Sequence, residues 1–137
     1  DAGGEGRSAF DHLVEVIRAD ASGVQFGGLP PQPVLGEPWS ENMRTAMYVR
    51  ASMLVRFGLV DVAEDAMLLE ELLAHELVSK QRTVEQDGRK ERVEAVLLIP
   101  KDEIKERIGR SPDRADAFVL ALTEQAQATD LPRFVWR

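Results

Sequence analysis

The chain has 137 residues, 24 acidic and 17 basic, giving a net charge of −7; this is enough for one domain and too little for two full-sized ones. With 44 % apolar and 30 % charged residues it has the composition of a globular domain, and no apolar run approaches the roughly 20 residues that span a bilayer. Cysteine is absent and His12 and His75 are the only histidines, which excludes disulfide scaffolds and Cys-based zinc sites and argues against a His-rich one. The lack of cysteine fits an intracellular setting. An opening at Asp1, with neither Met nor a signal peptide, reads as a piece of something longer.

In chain order, residues 1–7 are a glycine-rich loop, and Ser8 caps a helix to about Ala19 with Phe10, Leu13, Val14 and Ile17 on one face. Gly23 to Phe26 is short enough to be a strand. Gly27 to Pro38, with three glycines and four prolines, is a loop. Ser40 then caps a helix to about Phe57, with Met43, Met47, Arg50 or Ala51, Leu54 and Phe57 towards the core and Gly58 ending it. Asp61 and Glu64 form a capping-box pattern ahead of a helix to about Ser79, with the stripe Leu69, Leu72, Leu73 and Leu77. Strands at Arg82–Gln86 and Lys90–Ile99 flank Asp87-Gly88, a strong hairpin signal. Pro100 opens a short helix, Lys101 to Ile108, closed by Gly109. Ser111-Pro112 starts a last helix to about Ala126, pinned by Phe118 and Leu122. Leu131 to Arg137 is a final strand or an extended end. The expected class is α/β or α+β with a small sheet.

Charge is unevenly spread. Residues 1–79 hold 5 basic and 13 acidic side chains, whereas residues 80–114 hold 10 and 8. Basic character is concentrated between Lys80 and Arg114, either as a solvated hairpin and helix or as a nucleic-acid contact.

Most catalytic motifs are missing. A phosphate-binding loop ending at Ser8 requires Gly and Lys where Asp1 and Arg7 stand. No Gly-x-Ser-x-Gly elbow occurs, and neither histidine has triad partners at suitable spacing. Asp113 and Asp116, three residues apart at a helix start, place two carboxylates about 5–6 Å apart on one face. Such a pair repels unless a cation lies between, and hard oxygen ligands suit Mg²⁺ or Mn²⁺. The plain alternative is that Asp113 favours the helix dipole and Asp116 is solvated.

The segment Ile99-Pro-Lys-Asp-Glu-Ile-Lys-Glu-Arg-Ile-Gly-Arg-Ser-Pro-Asp-Arg-Ala-Asp-Ala-Phe-Val-Leu-Ala-Leu122 closely resembles the C-terminal motif of large terminase subunits from tailed bacteriophages. Asp1-Ala-Gly-Gly-Glu-Gly-Arg-Ser8 with Asp11-His12-Leu13 resembles that family's strand-end Asp, Gly-rich turn and helix, and Glu41–Tyr48 its helix after a long loop. The resemblance implies an RNase H-like α/β nuclease fold. Residues 1–137 would be one domain, the C-terminal portion, with a small sheet, a β-hairpin and about five helices. The first three strands and the ATPase motor would lie upstream.

It further implies catalytic acids that bind two Mg²⁺ or Mn²⁺ ions: Asp1 ending the central strand, Asp113 on the last helix, and Asp116 as the auxiliary one. Arg89, Lys90, Lys105, Arg107, Arg110 and Arg114 would be the rim contacting double-stranded DNA. The implied activity is metal-dependent endonucleolytic cleavage of concatemeric viral DNA in the host bacterial cytoplasm, with the terminase small subunit and portal as partners and no membrane. The family's first acidic residue falls before Asp1, so the chain alone is expected to be inactive. Two other readings stand beside this one: a non-catalytic, prophage-derived interaction module, and a resolvase-like nuclease selective for branched DNA.

Overall fold

A computed structural model describes residues 24–33, 36–62 and 64–128, with the backbone only for 124–128. Asp1, the helix expected over Ser8–Ala19, His12 and the tail from Leu131 lie outside the described residues. Those described form an α/β arrangement of β1 (Trp39–Ser40), α1 (Met43–Arg56), α2 (Ala66–Leu73), β2 (Leu77–Gln86), β3 (Arg89–Leu98), α3 (Lys101–Ile108) and α4 (Asp113–Ala128). Among them, no helix is long and apolar enough to cross a membrane.

The sheet is mixed, in the order β1-β3-β2. β2 and β3 run antiparallel from Leu77↔Leu98 out to Gln86↔Arg89, joined by Asp87 and Gly88, both at positive φ as a two-residue hairpin turn requires. β1 lies parallel to β3, pairing Trp39 with Ala95 and Ser40 with Val96, and Glu41 N–H extends the ladder to the Val96 carbonyl at 3.0 Å. The hairpin is longer than its sequence signal, and Leu77–Ser79 belongs to β2 rather than to a helix.

Two local corrections share one cause, the choice of helix cap. α1 starts at Met43 because Asn42, not Ser40, caps it, accepting from Thr45 N–H at 2.9 Å. α2 starts at Ala66 because Asp65, not Asp61, accepts from the Met67 and Leu68 N–H groups. The buried side of α2 is then Leu68 and Glu71, while Leu69, Leu73 and Leu77 are exposed. Val24 to Phe26 forms no strand; the Phe26 and Gly28 carbonyls instead accept from Arg44 N–H and Met43 N–H at the head of α1. α3 has the expected bounds, with Gly109 at φ 73° as its left-handed C-cap.

α1 packs against β1 and β3 and also against α4, and α4 packs against α2. The core joins Met47, Tyr48, Ala51 and Leu54 of α1 to Leu68, Leu98, Ala115, Val119 and Leu122. Phe57, expected inside, is 36 % exposed at the end of α1. Thr45, fully buried, ties α1 to the sheet by accepting from Leu98 N–H at 3.1 Å and donating to Asn42 at 2.8 Å.

Leu54→Ala should destabilise the protein by about 2–5 kcal/mol, through lost transfer energy and the cavity left behind. Leu73→Ala, at a position 83 % exposed, should change stability by less than about 0.5 kcal/mol. Urea midpoints of the two variants check both; equal losses would restore the originally expected stripe.

Candidate functional site

The head of α4 carries Asp113 and Asp116, and the sequence around it explains its rigidity. Pro112 ends the preceding chain and its carbonyl accepts from Asp116 N–H at 3.0 Å. The first-turn N–H groups of Arg114 and Ala115 have no intrahelical partner, and both donate to Glu71 Oε2 of α2, at 2.8 and 3.0 Å. Glu71, side chain 2 % exposed, therefore does from another helix what a side-chain N-cap does locally. Its other oxygen accepts from Arg110 Nε at 3.2 Å. Ser111, expected as the cap, donates its hydroxyl to Asp113 Oδ1 at 2.6 Å.

The two aspartates differ sharply. The Asp113 side chain is 76 % exposed, the Asp116 side chain 8 %. Asp116 Oδ1 accepts from the Tyr48 hydroxyl at 2.7 Å and more distantly from Arg44 Nε at 3.5 Å. Lys101 Nζ spans the pair, at 2.9 Å from Asp116 Oδ2 and 3.2 Å from Asp113 Oδ1. The cation that two neighbouring carboxylates need is supplied here by a lysine.

Burial pushes the Asp116 carboxyl up, but the hydrogen bonds from Lys101 and Tyr48 outweigh it and hold the group below the ordinary carboxylate value. The hydroxyl of Ser111 and then Lys101 hold Asp113 low. Burial, followed by the Asp116 carboxylate, pushes the Tyr48 phenol far above its ordinary value, so it remains a donor. For Lys101 burial acts downward, and the Asp116 and Asp113 carboxylates overcome it and raise the ammonium.

Arg44 is the hub beneath this pair. Besides Asp116 it donates to the Ile99 carbonyl at 3.4 Å and to His75 Nε2 at 3.0 Å, and it lies 5.2 Å from the centre of the Tyr48 ring. A guanidinium only donates, so His75 Nε2 accepts and Nδ1–H donates to the Glu71 carbonyl at 2.6 Å. His75 is thereby fixed as one neutral tautomer, its ring 4.3 Å from that of Tyr48. Burial first, with Arg44 adding to it, lowers its pKa despite the Glu71 carbonyl.

Whether the aspartate pair fits the divalent ion implied by the resemblance is decided by its oxygen atoms. Both oxygens of Asp116 and one of Asp113 already accept hydrogen bonds, and only Asp113 Oδ2 has no partner among the described residues. Among those residues no cluster of three or more His, Asp or Glu side chains is suited to a metal. As arranged, these residues do not make up a ligand set for the ion.

The six expected DNA-contacting cations fall into two groups. Arg89 and Lys90 sit at the far end of the hairpin and form no ion pair with a described residue. The span from Arg89 to Leu98 puts that end about 30 Å from the base of the sheet. The other four hold carboxylates nearer α4: Lys105 pairs with Asp102, and Arg107 with Glu76 and Glu103. Arg110 pairs with Glu70 and Glu71, and Arg114 with Asp65.

Lys101, Arg44, Tyr48, Glu71 and His75 were not among the residues that sequence reasoning assigned to the site. Two signals were present: Arg44 and Tyr48 stand four apart on a helix face, and Glu71 interrupts an otherwise leucine-rich stripe. No family model, curated protein or solved structure matches the chain. The fold and site define an α/β chain in which α4, the last helix among the described residues, is anchored by buried, compensated carboxylates.

Glu71→Ala takes the acceptor from two helix N–H groups and should destabilise by about 2–4 kcal/mol, while Arg110 keeps its pair with Glu70. Chemical denaturation checks this, and a loss below about 1 kcal/mol would show that α4 does not depend on the cap.

His75, with its pKa lowered by folding, contributes stability that is complete above its unfolded value of about 6.5 and is lost as pH falls below it. Denaturation curves between pH 8 and pH 5 should therefore show declining stability below about pH 6.5. The decline should be smaller in His75→Gln; identical pH profiles would refute the neutral tautomer.

Proposed function

We propose that the chain is the C-terminal portion of a terminase-type, RNase H-like nuclease domain, and that the intact protein cuts concatemeric phage DNA using Mg²⁺ or Mn²⁺. The observation that carries this reading is the meeting of two distant segments at one carboxylate. Glu41–Tyr48 and Ile99–Leu122 each bear the resemblance in sequence. Arg44 and Tyr48 from the first both bond Asp116 of the second, and Arg44 also bonds the carbonyl of Ile99, just beyond β3. Asp116 thus sits beyond the carboxyl end of the parallel β1–β3 pair, where open α/β sheets hold their ligands.

Of the two helix acids, Asp116 is buried and held by three donors, while Asp113 is exposed, so Asp116 is the one whose position the fold fixes. The remaining ligands of a two-metal site would come from Asp1 and from an acid upstream of it. DNA contact would begin at Arg89 and Lys90, whose charges no described acid pairs, in the host bacterial cytoplasm where packaging with small subunit and portal takes place. One observation favours a second reading, a non-catalytic interaction module: the charge around Asp113 and Asp116 is already balanced by Lys101 and Arg44.

The 137-residue chain should produce no plasmid nicking above background with either metal. Translated together with its preceding coding sequence, it should gain nicking that Asp116→Asn abolishes. If that longer protein folds by circular dichroism and still does not cut, the interaction module is the better reading. Asp113-dependent cleavage by the 137-residue chain itself would overturn the account of the missing acid.

A further inference from the structure

The pair Asp113 and Asp116 would be the natural place to seek a divalent ion, yet three of its four oxygens already have partners. Lys101 Nζ lies between the two carboxylates at 3.2 and 2.9 Å. Arg44 approaches Asp116 from inside the protein, with its side chain 12 % exposed. Two carboxylates therefore face two cations, and the cluster is electroneutral without any added ion.

The position of Lys101 has a cost of its own. It is the first residue of α3, directly after Pro100, where the helix dipole disfavours a cation. Asp102 and Glu103 in the same turn suit that dipole; the lysine does not. Its placement is accounted for by the carboxylates it reaches on α4.

We propose that the Lys101 ammonium is the resident counter-ion of the Asp113–Asp116 pair, and that it keeps divalent cations out of this pair in the 137-residue chain. The inference goes beyond the nuclease reading, since it concerns which cation the pair holds and not what the intact protein cuts. Lys101 is the exchangeable member of the cluster: its side chain is 38 % exposed, and it is held only by the two carboxylates. Arg44 has four partners and stays. Removing the ammonium while keeping the side chain's length frees Asp116 Oδ2, leaves Asp113 Oδ1 with Ser111 alone, and leaves the pair with one uncompensated negative charge.

The test is Mn²⁺ binding to the 137-residue chain, read from the electron paramagnetic resonance signal of the free ion. The wild-type protein should leave that signal unchanged at millimolar Mn²⁺. Lys101→Met should bind, with affinity raised by about tenfold or more, the scale set by one unit charge a few ångströms away under near-surface screening. Adding Asp116→Asn to Lys101→Met should abolish the gain. Lys101→Gln is the second variant, and circular dichroism confirms which of the two is folded.

Wild-type binding that Asp116→Asn removes would overturn the proposal, because the ammonium would then not be excluding the ion. So would a folded Lys101 variant that gains nothing, or a gain that survives Asp116→Asn. None of these outcomes depends on DNA cleavage, so the nuclease reading stands or falls separately on the nicking of the longer protein.

Discussion

The charge of two buried carboxylates, Glu71 and Asp116, has to be compensated where α4 begins, and the arrangement of the helices follows from how that is done. An uncompensated buried charge is too costly to keep, so each oxygen needs a donor. Glu71 finds its donors in the N–H groups that α4 itself leaves open, which also places negative charge at the favourable end of that helix. The relation is reciprocal. Asp65, which caps α2, is in turn bound by the Arg114 guanidinium of α4. The start of α4 is thus capped from α2, and an ion pair from α4 holds the residue that caps α2, so sliding one helix past the other breaks both contacts.

Asp116 uses a different set of partners, and they reach further. Its donors come from α1 and α3, so a single carboxylate joins three helices. Arg44 extends that connection to the end of β3 through the Ile99 carbonyl and to the end of α2 through His75. His75 returns it to the main-chain carbonyl of Glu71, so hydrogen bonds run from the Asp116 carboxylate to the backbone of the residue that caps α4. Buried networks in which every member is satisfied rigidify a core, and among the described residues no buried side-chain polar atom lacks a partner.

The same polar network explains which parts of the fold could be read from the sequence. The hairpin turn at Asp87-Gly88, the bounds of α3 and its Gly109 cap are local properties, set by backbone preferences within a few residues. Those were legible. The start of α1, the extent of α2 and its buried face were not, because more than one nearby residue could cap each helix and packing chose among them. Leu69 and Leu73 follow a helical apolar period, yet the side of α2 turned inward carries Glu71, selected by a need of α4 more than forty residues away. At the site, Asp113 and Asp116 were found from spacing alone. Spacing says nothing of depth, and so it could not distinguish the exposed Asp113 from the buried Asp116 or show that Lys101 bridges them. The six basic residues were likewise adjacent only in composition. Folding sends Arg89 and Lys90 to the far end of a long hairpin and gives the other four carboxylates of their own.

The two cations of the cluster have unequal standing, and that bears on any chemistry at this place. Arg44 is enclosed by Asp116, a carbonyl, an imidazole and an aromatic ring, so its positive charge is a permanent feature of the site. Lys101 is half-exposed and can leave. With the lysine gone, Arg44 still cancels one carboxylate, and one negative charge remains for an incoming ion. A divalent ion there would leave the cluster positive, and two would leave it strongly so. Further carboxylates are then not an embellishment of the nuclease reading but its electrostatic condition. Two more acids, one at Asp1 and one upstream, would restore the balance for the first ion and lower the excess positive charge for the second. On this argument the enclosed Arg44 sets how many acids a working site must gather, and α4 by itself carries too few.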